Sequence, residues 1–253
     1  MKKTWKSYPM MRAVFCGIAL LSLFSCTESP SSPTSSGSNV VMRTELDSAR
    51  IHSTLGTSTP SSLSTVDSLD VTSVAYAASD FTLRSDISDE ANDPNPVLSS
   101  IRPPQFLLVF DASGRQYIGE SIVYPTTYRR ARFAIHSLVG RADSLSLALG
   151  PLYSALFASG NSTIVIRGYL WISGVAMPFM FRSAEEGVGS AEFDTPFTVG
   201  TDLPKEVLVN FSTVSAFTDV SGKIMDPRDG RNAAAIEAHL KTSLHAIVNP
   251  ESR

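Results

Sequence analysis

Few side chains in this sequence are spaced for chemistry. The four histidines, His52, His136, His239 and His245, are scattered, and the nearest pair is six apart. Two ligands on one helix face need a spacing of three or four, so His239 and His245 cannot form a helical metal clip. All four read as surface or rim histidines. A serine nucleophile is not framed either. Gly187-Val188-Gly189-Ser190-Ala191 lacks the final glycine of a G-x-S-x-G elbow and leads into a strand rather than a helix. Glu185 and Glu186 are adjacent, which is the pattern of a solvated turn and not of carboxylates facing each other across a cleft. Met177 and Met180 are candidate soft ligands for copper, but a strand carrying both points them to opposite faces. Filling a core gap is the ordinary use of methionine.

Two oxygen-rich stretches and two aromatic pairs remain. Asp86, Asp89, Glu90 and Asp93 (SDISDEANDPNP) are calcium candidates, because Ca²⁺ takes about six to eight oxygens and β-sandwich loops commonly supply them. The stretch lacks a D-x-D-x-D-G spacing, and Asp93-Pro94-Asn95-Pro96 reads equally as a solvated loop. No metal and no cofactor is therefore assigned. Asp219, Asp226, Asp229 and Asn232 read as turn and cap residues around Asp226-Pro227 and Asp229-Gly230. Tyr169 and Trp171 share one strand parity, and Phe179 and Phe181 share another. A pair facing water would be a stacking platform for sugars. Core packing is the commoner use, and Ile164, Ile166 and Ile172 occupy the face opposite Tyr169 and Trp171. Both faces cannot be wet.

The elements that would position these residues are mostly strands. Gln105–Asp111 and Arg115–Tyr124 are apolar runs of strand length joined by Asp111-Ala112-Ser113-Gly114, which predicts a β-hairpin. Thr163–Ser173 and Val175–Arg182 flank Ser173-Gly174 and predict a second. Pro178 cannot donate a ladder hydrogen bond, so its arm belongs at an edge or on a bulge. Over Arg130–His136, alternation sets Ala131, Phe133 and Ile135 toward a core and Arg130, Arg132 and Ala134 toward water. Further strands are expected at Met42–His52, Val66–Ala77, Phe81–Arg84, Ser144–Leu149, Ala191–Val199 and Glu206–Thr213, with one short helical turn at Leu152–Phe157. Asn232–Val248 breaks the pattern. Ile236, Leu240, Leu244 and Ile247 form a helical stripe, Asp229 or Asn232 supplies an N-cap, and Pro250 ends it. The fold expected is all-β, an antiparallel β-sandwich of immunoglobulin-like or jelly-roll-like kind, with one C-terminal amphipathic helix.

Composition narrows the classes. The chain has 253 residues, a net charge of −3 and two cysteines. Two cysteines exclude a disulfide scaffold and the usual four-ligand zinc frameworks. An acidic pI near 5.8 with no basic block excludes nucleic acid as a partner. The N-terminus is an address. Lys2, Lys3, Lys6 and Arg12 precede the apolar run Ala13–Phe24, which is far shorter than the roughly 20 residues of a bilayer-spanning helix. It ends in Leu23-Phe24-Ser25-Cys26.

Those four residues resemble the lipobox of bacterial lipoproteins, with Leu three before the cysteine and a small residue just before it. The resemblance implies that the Cys26 thiol receives a diacylglycerol, that residues 1–25 are a signal peptide cut before it, and that the new amine is acylated, palmitate being a usual chain. Cys16 leaves with the signal, so no free thiol remains, and the mature charge becomes −7. Residues 26–38, Cys26 followed by a Ser- and Pro-rich stretch, are expected to be a flexible tether, and 39–253 a single domain. Thr27 stands where an aspartate would favour inner-membrane retention, so the outer membrane is expected, with the periplasmic or surface face open.

The run IVIRGYLWISGVAMPFMFRS, followed by EVLVNFS and DPRDGRNAAAIEAHLKTSL, is loosely similar to uncharacterised β-sandwich envelope lipoproteins over about residues 100–248. That resemblance implies a fold and no activity. The expectation is therefore a non-enzymatic, lipid-anchored protein of the cell envelope, structural or binding, whose partners are the membrane and an envelope protein or glycan. A carbohydrate- or polymer-binding module is the alternative. An unrecognised hydrolase or a metal-binding periplasmic protein ranks behind both.

Overall fold

A computed structural model describes residues 39–47, 50–53, 66–85, 98–101, 107–137, 162–200 and 204–249, all within the unit Ser32–Arg253. The expected signal, Cys26, the tether, the calcium candidates Asp86, Asp89, Glu90 and Asp93, the strand at Ser144–Leu149 and the turn at Leu152–Phe157 lie outside the described residues. Described strands are β1 (Val40–Asp47), β2 (Ile51–His52), β3 (Ser68–Arg84), β4 (Leu98–Ser100), β5 (Leu107–Asp111), β6 (Gln116–Ser121), β7 (Thr127–Ile135), β8 (Ile164–Ile172), β9 (Val175–Ser183), β10 (Gly187–Thr198), β11 (Lys205–Ser212) and β12 (Leu244–Asn249). Two short helices, α1 (Thr213–Phe217) and α2 (Ala233–Leu240), follow β11.

The fold is mostly β, as expected, but the sheet is mixed. Strands run in the order β6-β1-β11-β12-β10-β7-β3-β8-β9, with β2, β4 and β5 also on β3, and the sheet curls into a half-barrel. β1 with β11 and β10 with β12 are parallel, which corrects the purely antiparallel expectation. Parallel neighbours arise because β1 sits between β6 and β11, and β12 between β11 and β10. Period-two patterning fixes which face a strand buries, and it does not fix the partner or its direction.

β3 joins the two halves of the curl. Its first part pairs β8 and β5, and its later part pairs β7 and β4. Ala77 marks the handover, its N–H bonding Thr163 O and its carbonyl accepting from His136 N–H. Residues 73–78 are buried on both faces, so alternation vanishes there. Two strands were expected where one runs. The interruption is a bulge at Asp80 (φ +53°), where the register with β7 shifts; aspartate tolerates this left-handed conformation better than most residues.

The second hairpin forms as expected. Ser173 (φ +51°) and Gly174 (φ +76°) make a type I′ turn closed by Ile172 opposite Val175. β9, carrying Pro178, pairs only β8 among the described strands and is an edge. The first hairpin does not form. Its turn is present, with Asp111 Oδ1 accepting from Ser113 N–H at 2.7 Å, but β5 joins β3 and β6 joins β1. On β7, Ala131, Phe133 and Ile135 are buried as expected, whereas Arg130 is buried too. β7 is an interior strand, and its neighbours cover that part of its outer face.

The C-terminal helix is half as long as expected. α2 stops at Leu240, and the Thr242 N–H and the Thr242 and Ser243 hydroxyls all donate to His239 O. Residues 244–249 then form β12, with Leu244 and Ala246 buried. The apolar positions of LHAIV fit a helical stripe and a strand alternation equally, and the β-branched Ile247 and Val248 favour the strand.

Rings from β11, β5, β3 and β7 pass through one core. Phe211 lies 5.8 Å from Phe110, Phe110 6.1 Å from Tyr76, Tyr76 6.1 Å from Phe133, and Phe133 5.4 Å from Phe81, centroid to centroid. Tyr76 is fully buried, and its hydroxyl donates to Leu240 O at 3.2 Å, tying off α2. Burial pushes the Tyr76 phenol well above the usual tyrosine range. A raised phenol keeps its proton in the folded chain while the unfolded chain loses it. Stability is therefore full below about pH 10 and declines above it, by at most roughly 1.4 kcal/mol per pH unit from this group. Tyr76→Phe should cost about 1–2 kcal/mol at pH 7 and flatten the alkaline decline. Urea midpoints between pH 7 and 11 measure both; equal alkaline slopes in the two proteins would refute the assignment.

Candidate ligand-binding face

β8 alternates from Ile166 to Trp171, with Val165, of the outward parity, buried at its start. Ile164, Ile166, Gly168 and Leu170 are buried, while Arg167, Tyr169 and Trp171 face out. The aromatic pair is thus on the wet face, against the commoner expectation of core packing. Phe179 and Phe181, the other pair, are buried at 6% and 4% exposure. The expectation of core packing, which rests on isoleucines filling the other face of β8, is corrected for Tyr169 and Trp171, since Ile164 and Ile166 take the core side.

Sheet register assembles the rest. Asp70 of β3 and Pro178 of β9 flank Tyr169, Ser68 and Ala176 flank Trp171, and Ser73 and Met180 flank Arg167. The β3–β8 register shifts between Val71 and Ser73, and the Thr72 hydroxyl donates to Arg167 O at 3.2 Å. A shallow cleft of about 480 Å³ opens there, lined by Thr72, Arg167, Tyr169, Pro178 and Met180 among others. Tyr169 is 46% exposed and Met180 45%.

The two rings have different roles. The Arg50 guanidinium lies 3.4 Å from the Trp171 ring centroid and donates from Nε and Nη2 to Ser68 Oγ at 3.2 and 3.0 Å. One indole face is thereby covered by a cation–π contact. Tyr169 sits 6.4 Å from Trp171 and remains half exposed. It is the ring that can stack on a ligand.

Arg167 is the second polar feature of the cleft. Its Nε is buried without a hydrogen bond, and no carboxylate pairs with it among the described residues. An unmet buried donor costs about 1–3 kcal/mol. Four other described arginines hold carboxylates, whereas exposed Arg129 and Arg182 hold none among the described residues. Arg43 holds Glu206 at 2.9 Å, Arg115 reaches Glu45 and Glu206 at 3.5 and 3.7 Å, Arg228 holds Asp226 at 2.8 Å, and Arg231 holds Asp229 at 2.6 Å.

The remaining candidates do not converge. Asp219 accepts from the N–H groups of Ser221 and Lys223 and from the Ser221 hydroxyl. Asp229 caps the 3₁₀ turn Gly230–Asn232 by accepting from Arg231 N–H, and hydrogen bonding from the Arg231 guanidinium holds its carboxyl down at about 2. Burial works against the Asp226 carboxylate, yet Arg228 keeps it below the usual range. Asn232 Nδ2 donates to Asp226 O. These are turn and cap roles. Glu185 accepts from Lys241 Nζ at 2.9 Å and Glu186 from Ser137 N–H at 3.0 Å, both at the surface. Met177 takes a contact from Arg228 Nη1 and Met180 is exposed, so the two share no site. Ser190 Oγ is buried with no hydrogen-bond partner among the described residues. Among the described residues no three His, Cys, Asp or Glu side chains group to hold a metal.

Sequence reasoning found the rings and missed Arg50, Asp70 and Arg167. The parity of Arg167 with Tyr169 and Trp171 was readable, since all three are two apart. Arg50 and Asp70 reach the face only through the pairing of β3 with β8. Comparison with known proteins finds no matching family model, no matching curated protein and no matching solved structure.

Proposed function

We propose that this chain is a lipid-anchored binding protein of the bacterial cell envelope. Cys26 holds it to the outer membrane, and the outer face of β3, β8 and β9 meets a carbohydrate or related polymer. It acts by binding, with no cofactor and no catalytic step. The observation that carries the binding half is Tyr169, a ring left 46% exposed in the middle of a doubly paired strand with Pro178 and Met180 beside it. Flat aromatic faces dock the apolar faces of sugar rings. A ring fixed on a paired strand loses little freedom on binding. The reading of the domain as a sandwich rests on β3, whose two parts serve the two halves of the curl around one core. The anchoring half rests on the lipobox resemblance. The tether, by flexible-chain scaling of about 5–6 Å × √n, would let the domain range roughly 20 Å from the lipid.

A built-in reporter tests the binding half. Trp171 is the only tryptophan after residue 25, and it lies 6.4 Å from Tyr169. The full-length lipidated protein in nanodiscs, titrated with cellohexaose, chitohexaose and oligogalacturonate, should show a saturable change in Trp171 emission with at least one of them. Tyr169→Ala should abolish that change while leaving the melting temperature in place. No saturation with any of the three, or binding that survives Tyr169→Ala, would refute the platform.

A further inference from the structure

We infer that this face selects a negatively charged glycan, one carrying ring carboxylates of the uronic-acid kind, and that Arg167 is the carboxylate ligand. The inference rests on the carbohydrate-binding reading of the same face. Arg167 and Tyr169 point outward two residues apart on β8, a separation of about 7 Å along a strand. That is the scale of one sugar ring, so a pyranose stacked on Tyr169 brings an exocyclic group to Arg167. A guanidinium presents a planar fork of donors that matches a carboxylate in two parallel hydrogen bonds.

Two features favour an anionic occupant over a neutral one. Arg167 lines the cleft, and no carboxylate among the described residues pairs with its guanidinium. Exposed Arg182, one cross-strand row away opposite Val165, has no carboxylate partner among the described residues either, so two unpaired guanidinium groups share the face. Asp70 is one of three carboxylates on or beside this face, with Asp67 beside Trp171 and Asp111 beyond Ser73 in the row of Arg167, set against Arg50, Arg167 and Arg182. Asp70 lies across from Tyr169, in the row next to Arg167. There it accepts from sugar hydroxyls and orients the ring with its carboxylate toward Arg167.

The test compares tetragalacturonate with its methyl ester, which keeps the same stacking faces and loses the charge. With full-length protein in nanodiscs, Trp171 emission should report the acid binding roughly 10- to 100-fold more tightly than the ester, the range expected of a charge-assisted hydrogen-bonded pair. Arg167→Gln should bring that ratio close to one without shifting the melting temperature. Tyr169→Ala should weaken acid and ester alike. Equal affinity for acid and ester in the unmodified protein overturns the charge selection and leaves the glycan platform standing. A preference for the acid that survives Arg167→Gln overturns the assignment to Arg167. Absence of binding to both galacturonates, together with binding to cellohexaose or chitohexaose, overturns the inference alone; absence of binding to every saccharide overturns both readings.

Discussion

Gly168→Ala should destabilise the domain by about 3 kcal/mol or more, the largest effect expected of any single methyl in the described core. A Cβ built at Gly168 falls 2.1 Å from the carbonyl oxygen of Asp70 and 2.8 and 3.0 Å from two Phe179 ring carbons. Neither neighbour can give way cheaply. The carbonyl belongs to β3 just before the register shift between Val71 and Ser73, so moving it disturbs the ladder that holds β8. The ring is the direct cross-strand partner of Gly168, is buried, and packs against Phe217 of α1 at 6.0 Å. Overpacking a filled core usually costs about 1–3 kcal/mol, and here a displaced strand adds to it. Against a typical total of roughly 5–15 kcal/mol, that is a large fraction. Gly174→Ala supplies the contrast, because its Cβ meets nothing within 4 Å and only its φ of +76° opposes it, at about 1–2 kcal/mol. Urea unfolding followed at Trp171 measures both. A loss below about 0.5 kcal/mol for Gly168→Ala would mean that β3 and β8 do not approach as described.

What was legible in the residues was local. Ser173-Gly174 between two apolar runs specified the β8–β9 turn, and Pro178 specified an edge, because each acts within a few residues of itself. Alternation placed Ala131, Phe133 and Ile135 in the core for the same reason. Partnership was not legible. β5 and β6 carry the composition of a hairpin and the turn to match, yet each buries its apolar face better against a distant strand, β3 for one and β1 for the other. The Leu244–Val248 stripe failed differently, since five apolar-rich residues satisfy both periods, and the β-branched Ile247 and Val248 together with the hydroxyls that end α2 at His239 decide between them. The candidate face follows the same division. Its rings and Arg167 could be read from parity along β8, whereas Arg50 and Asp70 are brought there by long-range register.

Cys26→Ala should move the chain from the membrane fraction to the soluble one. On the proposed anchoring, Cys26 carries two chains on its thioether and a third on its amine. At about 0.8 kcal/mol per buried CH₂, each long chain contributes on the order of 10 kcal/mol before the costs of immobilisation. One chain alone binds marginally, and two or three hold stably, so removing the attachment point removes the whole effect. A signal left uncut does not replace it. Ala13–Phe24 is twelve residues long, well short of the roughly 20 that cross a bilayer as a helix. Among the described residues, no helix is long and apolar enough to cross a membrane. Fractionation, palmitate labelling and the mass of the mature N-terminus give three independent readings. The unmodified protein should take up label, sediment with membranes and start at Cys26. Cys26→Ala should take up none, lose the cleavage and appear in the soluble fraction after carbonate extraction. Cys16→Ala should behave as the unmodified protein, because Cys16 leaves with the signal. Label that persists in Cys26→Ala, or that disappears in Cys16→Ala, would remove the anchor from the proposal. The face built on Tyr169 and Arg167 would then have to be explained without a membrane to hold it.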